Sequence, residues 1–175
     1  MTDQEGLRQQ FKPRVVYVLF VGESRPHSGK FFYAANSSLF FATQEAFAAV
    51  YGMNFPDGTA FLEFFRGKGC FLDDLCEEPV NKGLSSTARE QAHEKGIAPL
   101  AERVIALNPK ALVIVMLGIV PPVCRALQEA VRKTQRPPVP IHPLPFPRPE
   151  HKARYVRELT IVLRKLQESG VLELA

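Results

Sequence analysis

Two stretches of this chain are unbroken runs of apolar, β-branched residues: Arg14–Val21 (RVVYVLFV) and Ala111–Leu117 (ALVIVML). A strand that is polar on every second residue has one face in water. A continuous apolar run instead reads as a strand buried on both faces, which is the habit of parallel sheets covered by helices. Cys70–Leu75 and the short Val139–Ile141 complete a set of four strands. Helical segments separate them. The first is Leu39–Tyr51, behind a cap at Ser37 or Ser38. Thr59–Arg66 is closed by Gly67 and Gly69. Thr87 and Glu90 fit a capping box for a helix carrying Ala92, Ile97, Leu100, Val104 and Leu107, with a break or kink expected at Gly96 and Pro99. Pro121–Lys133 is opened by prolines, and residues 150–168 turn Tyr155, Leu159, Val162, Leu163 and Leu166 inward. Strand and helix in alternation predict an α/β three-layer sandwich around a four-stranded, mostly parallel central sheet.

The 175 residues suit a single domain, 1–175, with a sizeable core. The apolar run near Ala111–Val123 is interrupted by Gly118, Pro121 and Pro122 and is too short to cross a bilayer. The polar N-terminus has no apolar signal core, so a cytoplasmic protein without membrane contact is expected. Cys70, Cys76 and Cys124 form no CxxC pair and read as small buried hydrophobes; no metal or cofactor is expected. Charge is unevenly spread. Residues 132–165 hold nine Lys/Arg against Glu150 and Glu158, a net +7, whereas residues 1–131 stand at −1. A basic C-terminal region on a near-neutral body points to a polyanionic partner, or else to a solvated helix face.

In an open parallel sheet, ligands bind along the edge formed by the carboxyl ends of the strands. Glu23, Asp73, Asp74 and His142 all fall at such strand ends, and the loops at 22–37, 76–86 and 142–149 crowd the same edge. GxGxxG, GxxxxGK[ST] and GxSxG are all absent, which removes the usual dinucleotide, P-loop and serine-hydrolase signatures. The first loop, Gly22 to Tyr33, combines the carboxylate of Glu23, the cations Arg25, His27 and Lys30, and the rings of Phe31, Phe32 and Tyr33. Gly22 is expected to turn the backbone off the strand. Cations suit phosphates and flat rings suit nucleobases; the alternative is that the rings cap the core and Glu23 pairs with a neighbouring cation.

Strand-Gly22-Glu23-Ser24-x-Pro26 followed by Gly29-Lys30-Phe31-Phe32 resembles the first motif of the uracil-DNA glycosylase superfamily. Ile141-His142-Pro143-Leu144-Pro145-Phe146 resembles its second motif, and Gly69–Cys76 and Leu112–Leu127 occupy the places of intervening elements. The likeness covers about residues 14–166. It implies a uracil-DNA glycosylase-like fold, DNA as partner, and an enzyme that flips a damaged base from the stack and hydrolyses its bond to the sugar. By position it assigns catalysis to Glu23 and His142, base contact to Phe31 or Phe32 and to Asp73 or Asp74, and an apolar wedge to Leu144 or Phe146. Arg25, Lys30, Arg148 and Lys152 would meet the phosphates.

The chain also departs from that family. Ser24 stands where the most active members carry Asp or Asn, although some branches lack that residue and still cut, and Leu144 stands where a phosphate-binding Ser is frequent. Asp73 or Asp74 replaces a base-reading Asn, and an ionised Asp only accepts hydrogen bonds. Three cysteines fall short of the four ligands of an iron–sulfur cluster. The expected activity is therefore recognition of a damaged or deaminated base, with hydrolysis of its N-glycosidic bond. The alternatives are a non-catalytic nucleic-acid or nucleotide binder, or a hydrolase or lyase for a small phosphorylated metabolite.

Overall fold

The computed structural model describes residues 3–27, 29–80 and 83–173. Ser28 of the 22–37 loop and Asn81 and Lys82 of the 77–86 loop lie outside the described residues. Ten elements follow one another: α1 (Asp3–Gln10), β1 (Val18–Ser24), α2 (Ser38–Tyr51), α3 (Gly58–Gly67), β2 (Cys70–Cys76), α4 (Ser86–Leu107), β3 (Ala111–Ile114), α5 (Val120–Thr134), β4 (Ile141–Pro143) and α6 (Lys152–Glu168). The four strands form one all-parallel sheet in the order β2-β1-β3-β4. The architecture is the α/β sandwich that the alternation predicts.

Strand periodicity sorts the helices into layers. Phe20 of β1 meets Phe47 of α2 and Phe65 of α3, and the Thr43 and Tyr155 hydroxyls join α2 to α6. On the opposite face α4 lies so close to β2 that a Cβ on Gly96 would come within 2.5 Å of the Leu75 carbonyl oxygen. Gly96 thus serves close helix–strand packing, and α4 runs unbroken through Gly96 and Pro99. Arg125 and Lys133 of α5 pair with Glu94 and Glu102 of α4.

Several boundaries differ from the expected ones. β1 begins at Val18 because its register is set by β2, with Val18 opposite Cys70 and Ser24 opposite Cys76. Gly22 is consequently inside the strand, not at a turn. Its missing side chain makes room for Asp74, whose Oδ1 would lie 2.6 Å from an added Cβ. β3 ends at Ile114 and a 3-10 turn at Leu117–Ile119 leads into α5. β4 starts later than expected because Pro137, Pro138 and Pro140 have no N–H to give, so pairing begins at Ile141 and draws His142 into the strand. Ser85, not Thr87, caps α4, accepting from the Ala88 N–H.

The edge strand β2 is covered. The Tyr33 hydroxyl accepts from the Leu72 N–H (2.7 Å) and donates to the Leu72 carbonyl (3.0 Å), and Phe11 stacks on the Tyr33 ring. Just before Phe11, α1 brings Arg8 to the strand's acidic end. An uncovered strand edge is a template for unwanted pairing, and this one is closed by side chains from two segments.

Candidate functional site

Glu23 stands at the carboxyl end of β1, on the face covered by α4. Arg89 of α4 grips it with two hydrogen bonds, Nε to Oε1 (2.7 Å) and Nη2 to Oε2 (2.8 Å). One helical turn on, His93 Nε2 lies 2.7 Å from the same Oε1. Burial raises the carboxyl's affinity for its proton, but the hydrogen bonds from Arg89 and His93 outweigh it and hold Glu23 below the usual carboxylate range. Glu23 is therefore ionised at neutral pH and can only accept. His93 must place its proton on Nε2, facing Glu23, which leaves Nδ1 with a free lone pair in the neutral ring. A carboxylate that orients an imidazole and stabilises its protonated form is the arrangement of a general base. Sequence reasoning found Glu23 and missed both partners. The one signal was Arg and His four positions apart at the start of a helix that follows a long loop.

Asp73 and Asp74, expected to read a base, are instead closed off by the protein's own cations. Successive strand residues face opposite ways, and Arg8 reaches both, with Nη1 on Asp73 Oδ1 (3.0 Å) and Nη2 on Asp74 Oδ2. Arg103 of α4 takes the other Asp73 oxygen (2.8 Å) and also reaches the Asp74 carbonyl and Glu77. Burial, opposed by Arg8 and reinforced by Asp73, pushes the Asp74 carboxyl up to about 6. A cleft of about 350 Å³ adjoins this cluster, lined in part by Arg8, Lys12, Arg25, Asp73, Asp74 and Arg103. A second, of about 420 Å³, lies at the opposite sheet edge among Tyr17, Pro109 and Pro137–Pro140. Neither is lined by Glu23, His93 or His142.

The remaining expected residues do not converge. Phe31 and Phe32, each 3% exposed, pack against Tyr33, and Phe32 also meets Phe40 and Phe65. Their rings belong to the core and offer no open face to a base. His142 shares its row with Val113, Phe20 and Leu72, so it points to the α2–α6 face, opposite to Glu23. Three strand spacings, roughly 14 Å, separate it from β2. Its Nε2 is buried without a hydrogen-bond partner, and burial, with Lys165 nearby, lowers its pKa. Leu144 is 1% exposed and its N–H bonds the Ile114 carbonyl; Phe146 is partly buried against the core. Turned inward, Leu144 cannot serve as a wedge. Ser24 Oγ accepts from the Val80 N–H and tethers the loop after β2.

Of the four expected phosphate contacts, Arg25 is tied to the Glu77 carbonyl (2.9 Å) and to Glu5, and Lys152 pairs with Glu45 (2.8 Å). Lys30 and Arg148 are exposed. Among the described residues no group of three or more His, Cys, Asp or Glu is placed to hold a metal ion. No helix among them is long and apolar enough to cross a membrane. No protein-family model matches the chain, and no curated protein matches it in sequence.

Proposed function

We propose that this protein hydrolyses an N-glycosidic bond in a nucleic acid carrying a damaged or deaminated base, with His93 as general base and Glu23 as its orienting carboxylate. The observation that carries the reading is the 2.7 Å contact between His93 and an ionised Glu23 at the carboxyl end of a central strand, where parallel sheets present their ligands. The same carboxylate occupies the Gly22-Glu23-Ser24 motif that resembles the uracil-DNA glycosylase superfamily. His93 Nδ1 takes a proton from water, and the water oxygen bonds to the anomeric carbon. The sugar–base C–N bond breaks with its electron pair on the base, which recovers the proton from the imidazolium. Glu23 stabilises the imidazolium meanwhile, and Arg89 keeps the carboxylate in place.

The test is release of free base from single- and double-stranded oligonucleotides bearing a panel of deaminated and damaged bases. Wild type is expected to release base, and His93→Ala and Glu23→Gln to lose at least about 100-fold in rate. His142→Ala should stay within a few-fold of wild type, because that ring faces the other side of the sheet. Loss of activity in His142→Ala, with His93→Ala unaffected, would overturn the assignment. A second reading, a nucleic-acid binder without chemistry, is favoured by the burial of Phe31 and Phe32 and the closure of Asp73 and Asp74. Salt-dependent binding without base release would establish it.

A further inference from the structure

We propose that the outward face of α6 is a track for the phosphates of a nucleic acid, leading away from the sheet edge that carries Glu23. The proposal rests on the nucleic-acid part of the function above and names the surface that holds this partner. One side of α6 is spent on the core: Tyr155, Leu159, Val162, Leu163 and Leu166 are buried. The opposite side exposes Arg157 and Arg164, seven residues apart and so about 10.5 Å along the helix; Lys165, also exposed, lies about 100° round from Arg164, on the flank towards His142.

Neither arginine of this stripe is spent on the protein's own carboxylates. Arg8, Arg89, Arg103 and Arg125 are each bonded to carboxylates. Arg154 and Lys152, at the start of α6, pair with Glu158 and Glu45. Among the described residues, no ion pair or side-chain hydrogen bond engages Arg157, Arg164 or Lys165. The excess is large, since residues 132–165 carry nine basic and two acidic side chains. The stripe also points somewhere. α6 begins just after β4, and Arg148 is exposed in the connection, at the strand ends where Glu23 also stands.

The composition selects a phosphate backbone over a lipid surface. A helix that lies in a membrane interface needs an apolar face for the acyl chains. The apolar face of α6 is already packed, and Ile161 is the one large apolar side chain exposed on this helix. Guanidinium forks match phosphate oxygens two at a time, which favours arginine here.

The experiment measures affinity of the full-length chain for an undamaged duplex as salt is varied. The double variant Arg157→Gln/Arg164→Gln removes two surface cations and leaves the core untouched. Its log–log salt slope should fall by about 2, and its affinity near 0.1 M salt by about tenfold. Lys95→Gln/Arg125→Gln removes the same charge from the opposite layer and should leave the slope within a few tenths of wild type. Equal losses in both double variants would reduce the effect to net charge and overturn the track. So would an unchanged slope in the α6 variant while wild type binds, an outcome that leaves the function itself standing. Binding by wild type to vesicles of anionic lipid, but not to duplex, would also overturn it. If α6-dependent duplex binding appears and no base is ever released, the track stands and the hydrolytic reading falls.

Discussion

Glycines distinguish packing constraint from conformational freedom in this chain. Gly22 sits in the middle of a strand, and an alanine there would press its Cβ to 2.6 Å from Asp74 Oδ1. That carboxylate cannot swing aside, because Arg8 holds its other oxygen. Gly22→Ala is expected to destabilise the protein by about 1–3 kcal/mol, read as a lower urea midpoint. Gly6, inside α1, has no atom within 4 Å of where its Cβ would be, so the same change there should stabilise by about 0.5–1 kcal/mol. If the two substitutions shift the midpoint in the same direction, the account of Gly22 as a cradle for Asp74 is wrong. The sequence displayed Gly22-Glu23 clearly enough to mark a strand end, yet it also suggested a turn. The steric reason for the glycine lies on β2, some fifty residues away.

At the scale of elements, α1 acts as a strap over the β2 edge, and Arg8 is its anchor. Removing one partner of a buried ion pair leaves charges with nothing to answer them. Arg8→Ala takes from Asp74 its ion-pair partner and leaves Asp73 with Arg103 and the Asp74 N–H, and is expected to cost about 3–5 kcal/mol in urea unfolding, with loss of helical signal from α1. A cost under about 1 kcal/mol would mean that the strap is decorative. The long elements were legible because apolar periodicity is a local property: α2 and α6 lie within two residues of expectation, and all five inward residues of α6 are buried. α1 was not legible. Eight mostly polar residues, DQEGLRQQ, carry no apolar stripe, and their role appears only once the β2 edge exists. The site was half legible for the same reason. Glu23 is announced by its strand, whereas Arg89 and His93 acquire meaning only when α4 packs across β1 and β2.

For the whole molecule, the buried Asp74 and the half-buried Glu23 set opposing pH dependences. Asp74 binds its proton more tightly when folded, at about 6, than at the ordinary carboxyl value of 3.8. Between those values the folded chain holds more protons than the unfolded one, so stability rises as pH falls from about 6 towards 4. Glu23 is depressed when folded. Its contribution is complete above the ordinary carboxyl value and is lost as pH falls through the lower, folded value. Relative to Asp74→Asn, wild type should therefore gain stability on acidification from about pH 6 towards 4, while His142, held below its ordinary 6.5, and Glu23 pull the other way. Asp74→Asn keeps an oxygen for Arg8 but cannot titrate, so its profile should lose that gain and retain the fall. Glu23→Gln should keep the gain and soften the fall at the acid end. Urea unfolding at half-unit steps from pH 3.5 to 8 separates the two. Parallel curves for wild type and Asp74→Asn would show that Asp74 ionises as freely in the folded protein as in the unfolded chain, contrary to its position between Arg8, Asp73 and the missing side chain of Gly22.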